Sequence, residues 1–154
     1  MDSKAVYDHV LSRVEEDLKH YGYKRSGKGR LFYRYSADGK VGCAVEMQKS
    51  AYSSGDNHRF TFNIGCVAIY ELSGYGKEKL TTEVLKAVLR STRMERLGGV
   101  SRGFDYWWEF SNDILDRFSA EEYYDRFLHG DIEKCANHLD EVSRKKEHVY
   151  LRDE

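Results

Sequence analysis

The chain has 154 residues, with 25 basic and 26 acidic side chains and a formal net charge of −1. That length makes one domain, large enough to bury a core without staples, and the near-neutral balance removes any global field that would commit it to nucleic acid or membrane. No apolar run approaches about 18 residues and no charged-then-apolar leader opens the chain, so the expectation is a cytoplasmic protein with no membrane span.

Cys43, Cys66 and Cys135 are an odd number, and two of them sit on apolar strand faces. They read as buried thiols in a reducing compartment rather than as a disulfide framework. Proline is absent, so the 13 glycines must make the turns. Charge is uneven: Lys19 to Arg34 carries six basic residues and no acid, whereas from Asp105 onward there are 14 acids against 7 bases. Packing the basic hairpin against the acidic tail would let each offset the other.

In chain order, Tyr7, Val10, Leu11, Val14, Leu18 and Tyr21 repeat at helical spacing over residues 4–21, with Ser3 or Asp2 as cap and Gly22 as the stop. Tyr23 to Ser26 reads as extended and Arg30 to Ser36 as a strand, followed by an Asp38-Gly39 hairpin turn. Val41 to Ser50 and Phe60 to Tyr70 alternate with period two, the mark of strands with one buried face. Their apolar sides carry Val41, Cys43, Val45 and Met47, and Phe60, Phe62, Ile64 and Cys66. The other sides carry Gly42, Ala44, Glu46 and Gln48, and Thr61, Asn63 and Gly65, small or polar residues that would leave room for a ligand.

Ala51 to His58 is longer than an ordinary hairpin loop. Lys77 to Leu89 reads as a helix, and Arg90 to Gly103 has no clear pattern. Tyr106 to Phe110 is a short aromatic strand, and Ser111 or Asn112 caps a short helix after it. Ser119 to Glu122 has capping-box spacing, and Gly130-Asp131 opens the last helix, with Ile132, Ala136, Leu139 and Val142 inward.

This order predicts an α+β fold: a twisted antiparallel sheet of four to six strands with helices packed on one face, an N-terminal helix and a helical C-terminal tail. Residues 1–154 form a single domain, with the sheet core over about 22–110 and the helical segment over about 111–147. The polar sheet face, turned away from the helices, must meet solvent, a ligand or another chain.

Leu18, Gly22-Tyr23-Lys24-Arg25, Gly29, Phe32-Tyr33-Arg34, Gln48-Lys49-Ser50, Phe60-Thr61-Phe62-Asn63-Ile64-Gly65 and Trp107-Trp108 occur in one order. That series resembles the bacterial family catalogued as domain of unknown function 4304, over roughly the first 110 residues. Glu71 to Leu89 and the tail beyond Phe110 depart from the pattern. The resemblance implies a bacterial cytosolic origin and supplies no catalytic residue, since the family has no established activity.

The first candidate site is the polar sheet face: Glu46 and Gln48 opposite Asn63 and Thr61, with Arg34 of the adjacent strand as a candidate for the same side. An acid, two carboxamides, a hydroxyl and a guanidinium can orient a polar ligand. The alternative is a solvated face with an Arg34–Glu46 cross-strand pair. Trp107-Trp108 is another, with one indole in the core and the other either facing the polar side or rim as a hot spot or covered by a C-terminal helix. The basic hairpin, with Lys24, Arg25, Lys28, Arg30 and Arg34 among aromatics, could stack and pair with single-stranded nucleic acid, or simply protect an edge strand. Cys135-x-x-His138 falls short of a zinc signature, and Gly74-Tyr75-Gly76-Lys77 lacks the glycine spacing and hydroxyl of a phosphate loop.

The resulting reading is a non-enzymatic binding module, without cofactor or metal, that uses the polar sheet face for a protein partner or a second copy. By analogy with small domains lacking catalytic motifs it would be of the neutralising or immunity type. The alternative is an enzyme on a small polar molecule, with Glu46 as acid/base and Arg34 holding an anion. Nucleic-acid binding by the hairpin comes third.

Overall fold

The computed structural model describes residues 3–51, 53, 57–72, 79–90 and 94–152, leaving Asp2, Arg93 and the Gly74–Lys77 segment outside the described residues. The first helix, α1 (Ser3–Lys19), buries Val6, Tyr7, Val10, Leu11, Val14 and Leu18 on one stripe. Gly22 ends the turn after it at φ +88°, a left-handed conformation that glycine adopts without steric cost.

Four antiparallel strands follow as a meander: β1 (Lys24–Arg25), β2 (Leu31–Tyr35), β3 (Val41–Lys49) and β4 (His58–Ala68). Gly39 turns the β2–β3 hairpin at φ +73°, and Asp38 Oδ1 accepts from Lys40 N and Ser36 Oγ at 3.0 and 2.8 Å. The register sets Glu46 opposite Asn63 and Gln48 opposite Thr61, as simple hairpin pairing requires. Two short strands share the far edge of β4: β5 (Glu95–Arg96) pairs at Asn63 and Ile64, and β6 (Trp108–Phe110) at His58, Arg59 and Phe60. At the gap between them the Thr61 hydroxyl donates to Tyr106 O at 3.0 Å.

Beyond β4 the chain forms α2 (Thr82–Val88), α3 (Leu97–Ser101), α4 (Asn112–Arg117), α5 (Ala120–Phe127) and α6 (His129–Arg152). Ser119 and Glu122 close the expected capping box at the start of α5. The fold is thus α+β with a six-stranded antiparallel open sheet and a helix at each end. The main core lies between one sheet face, with Phe32, Cys43, Val45, Met47, Phe60, Phe62 and Ile64, and the buried sides of α1, α5 and α6.

The opposite sheet face carries a second apolar cluster, of Leu31, Ala44, Val67, Ile69, Leu80, Leu85 and Leu89. Here α2 lies over Gly42, where an added Cβ would stand 3.1 Å from Leu85 Cδ1 and 3.3 Å from Leu80 Cδ1. The small residues at that end make room for a helix and not for a ligand. Among the described residues, the Glu46–Gln48 end of the face stays open.

The cysteine expectation needs correction. Direct cross-strand opposition brings Cys43 and Cys66 together, with Cα atoms 4.0 Å apart, and a disulfide joins them, leaving Cys135 as the free, buried thiol. Two apolar-facing cysteines in register make a pair, and the pairing was not visible before the register was known.

Candidate functional site

At the open end of the second sheet face, alternation places Glu46 and Gln48 of β3 beside Asn63 of β4. Asn63 Nδ2 donates to Gln48 Oε1 at 2.8 Å, which fixes both carboxamides in one orientation. Glu46, with a side chain 15% exposed, receives a two-pronged contact from Arg90, whose Nε donates to Oε1 at 3.1 Å. That fork–fork geometry is the strong form of an arginine–carboxylate pair, and it raises the Arg90 pKa. Arg30 and Lys49 complete a polar cleft of about 490 Å³.

Arg34 is absent from this cleft, contrary to the sequence expectation. It lies two residues after Phe32, which faces the main core, so it points to the helix side of the sheet. There it donates to Tyr21 O at 2.7 Å, pairs with Asp140 of α6 and covers the Tyr23 ring. The Arg34–Glu46 pair of the sequence reading therefore does not form, because strand geometry sets the two side chains on opposite faces of the sheet. The partner of Glu46 is Arg90, 44 residues away, which no sequence signal marked. Arg34–Asp140 does join the basic hairpin to the acidic tail, as the charge distribution suggested.

Thr61 shares the Glu46 face but is fully buried, its hydroxyl committed to Tyr106 O at the seam between β5 and β6. The tryptophans divide as alternation requires. Trp108 is buried and its Nε1 donates to Phe127 O at 2.8 Å, while Trp107 is half-buried under the Arg96 guanidinium, 4.9 Å from the ring centroid. Together they line a separate, largely aromatic cleft of about 530 Å³ with Phe118, Tyr123 and Phe127, and an Arg59–Glu109 pair at 3.3 Å stands on its wall. The sequence-predicted site residues thus fall into four places, of which only Glu46, Gln48 and Asn63 form one polar cleft.

The basic hairpin does not present its aromatics as a stacking surface. Phe32 and Tyr23 are buried, and Tyr33 and Tyr35 pack against the α2 cluster. Arg25 is held by Gly29 O at 2.8 Å and by Glu15 at 3.6 Å. Cys135 and His138 also part company: the thiol is buried, which pushes its pKa up, and the imidazole lies 3.3 Å from Glu95. Among the described residues no cluster of His, Cys, Asp and Glu is suited to a metal ion, and no helix is long and apolar enough to cross a membrane.

The family model described as domain of unknown function DUF4304 matches residues 14–138, and the chain belongs to that family. The match extends through the departures noted in the sequence and through most of the C-terminal helical segment. No curated protein and no solved structure matches the chain.

Proposed function

We propose that this DUF4304 domain is a binding module whose contact surface is the cleft of Glu46, Gln48 and Asn63, with a protein as its partner. The observation that carries this reading is the division of the second sheet face. Its small-residue half is sealed by α2, while its polar half is open among the described residues, with its side chains already oriented by the Gln48–Asn63 and Glu46–Arg90 pairs. Preorganised donors and acceptors lose little freedom on binding, so their complementarity is available to a partner. Arg30 and Lys49 at the rim favour an acidic contact surface, which would raise the association rate. Self-association through the same cleft is a variant of this reading.

Location in the cytoplasm belongs to the same proposal and makes Cys43–Cys66 one of the uncommon disulfides of that compartment.

The test is a Gln48→Ala, Asn63→Ala double variant used as bait beside the wild-type chain. The exposed hydrogen bond it removes is worth about 0.5–1.5 kcal/mol, so the variant stays folded. Expected is a partner, or a second copy, cross-linked by the wild-type chain and lost with the variant. Equal capture by both baits would refute the reading, and so would a variant that fails to fold, because those side chains would then be structural.

A further inference from the structure

We propose that a second cleft, between the start of α1 and the neighbouring ends of β3 and β4, binds a phosphate-type oxyanion through Lys28, Arg30 and Lys49, above the Tyr7 hydroxyl. This cleft, of about 600 Å³, adjoins the Gln48–Asn63 cleft and shares Arg30 and Lys49 with it, but its wall is made by Tyr7 and His58.

Charge is the first support. Lys28, Arg30 and Lys49 have no ion-pair partner among the described residues, and Asp8, the carboxylate on this wall, is engaged by Lys4 at 3.2 Å. In a chain of net charge −1, this leaves a local excess of positive charge around a concave surface. A concave patch of one sign concentrates small anions of the other. Two of the cations sit on firm backbone: Lys49 is the last residue of β3, and the carbonyl of Arg30 accepts from Met47 N at 3.0 Å.

The second support is independent of charge. Tyr7 is 5% exposed, and its hydroxyl is buried with no hydrogen-bond partner among the described residues. Ser53 stands close by, its Oγ accepting from Arg59 N at 2.9 Å and donating to Arg59 O at 3.4 Å, and it leaves the Tyr7 hydroxyl outside full hydrogen-bond distance. Lys49 Nζ lies 4.2 Å from the Tyr7 ring centroid, and the His58 ring stands edge-on at 6.0 Å. A buried hydroxyl without a partner is an exception that calls for one. An oxyanion drawn in by the three cations would accept from it, with Lys49 shifting off the ring to join the same anion. Phosphate carries up to two negative charges and accepts several charge-assisted bonds, which suits this donor set. The cleft has space for more than the bare ion, so the phosphate is carried on a small molecule.

Titration calorimetry at constant ionic strength tests this, with inorganic phosphate and adenosine 5′-monophosphate as probes. The chains compared are wild type, Arg30→Gln with Lys49→Gln, Tyr7→Phe, and the Gln48→Ala, Asn63→Ala variant, each checked for folding by circular dichroism. Expected is saturable binding to the wild type, tighter for the monophosphate ester and about tenfold or more weaker when both cations are removed. Tyr7→Phe should also weaken it, and the Gln48 and Asn63 changes should leave it unaltered, which separates this site from the protein-binding cleft. Equal affinity for the two probes would still support the oxyanion site, with the free ion as its occupant. Absence of saturable binding, wild-type affinity in Tyr7→Phe or in the cation variant, an equal loss in the carboxamide variant, or binding of a single-stranded oligonucleotide alone would overturn the proposal.

Discussion

Gly42 and Arg34 decide between them what the two faces of the sheet can hold. At Gly42 any Cβ would press on Leu85, Leu80 and Tyr35 at 3.1–3.3 Å. Gly42→Val is expected to cost about 1–3 kcal/mol through overpacking, read as a lower urea midpoint. Unchanged stability would mean that α2 is not seated there. Arg34, with a side chain 20% exposed, neutralises Asp140 and covers Tyr23. Arg34→Gln leaves that carboxylate without its cation, and a loss of about 1–3 kcal/mol is expected, read by the same measurement. The orientation of Arg34 was legible in the sequence, since Phe32 two residues earlier has to face the core. The role of Gly42 was not, because a small residue on a strand looks the same beneath a ligand and beneath a helix.

At the scale of elements, α2 and β4 do the organising. Helix α2 is seven residues long, too short to be stable alone, and it depends on Leu85 and Leu89 packing into the second apolar cluster. Leu85→Ala should remove about 2–5 kcal/mol. Because α2 is one short helix held to the sheet through this cluster, the loss should show first as faster amide hydrogen exchange over residues 82–88 and only then as global destabilisation. Exchange unchanged in α2 would contradict this. Strand β4, with 11 residues, is long enough for two separate short strands to share one edge. Thr61 closes the seam that results. Its alternation was readable in the sequence, but its function as a seam was not, because β5 and β6 come from separate chain segments well downstream of β4.

Across the whole molecule, two links tie distant parts together. His129 at the start of α6 places Nδ1 2.7 Å from Asp17 of α1 and Nε2 2.9 Å from Glu133, and Tyr124 also donates to Asp17, at 2.7 Å. The hydrogen bond to Asp17 raises the His129 pKa above its ordinary 6.5, against the opposing effects of burial and Arg13. A pKa raised by folding means stabilisation that is complete below about 6.5 and lost as pH climbs through the raised value. The wild-type melting temperature should therefore fall as the pH rises above about 6.5. His129→Gln should flatten that fall, and an identical profile in both proteins would show that the contact contributes nothing. The Cys43–Cys66 disulfide is the other link, spanning 23 residues of sequence. Alkylation of the unreduced, denatured chain should modify one thiol, Cys135, and all three after reduction. Reduction should cost about 3 kcal/mol on chain-entropy grounds. Three reactive thiols before reduction would show that the bond does not form in solution.

By itself the sequence determined the α+β class, the helix of residues 4–21 within a turn at its end, the shared strand face of Glu46 and Gln48, and the opposite directions of Trp107 and Trp108. Each of these follows from periodicity or from a local backbone requirement, and both act between residues close in the chain. Only the tertiary structure decided that α2 would seal half of the second face, that Arg90 would take Glu46, that β3 and β4 would pair in the register that joins Cys43 to Cys66, and that the Tyr7 hydroxyl would have no hydrogen-bond partner among the described residues. Those outcomes depend on which surfaces meet across tens of residues, and a repeat of two or of 3.6 residues carries no information about that distance.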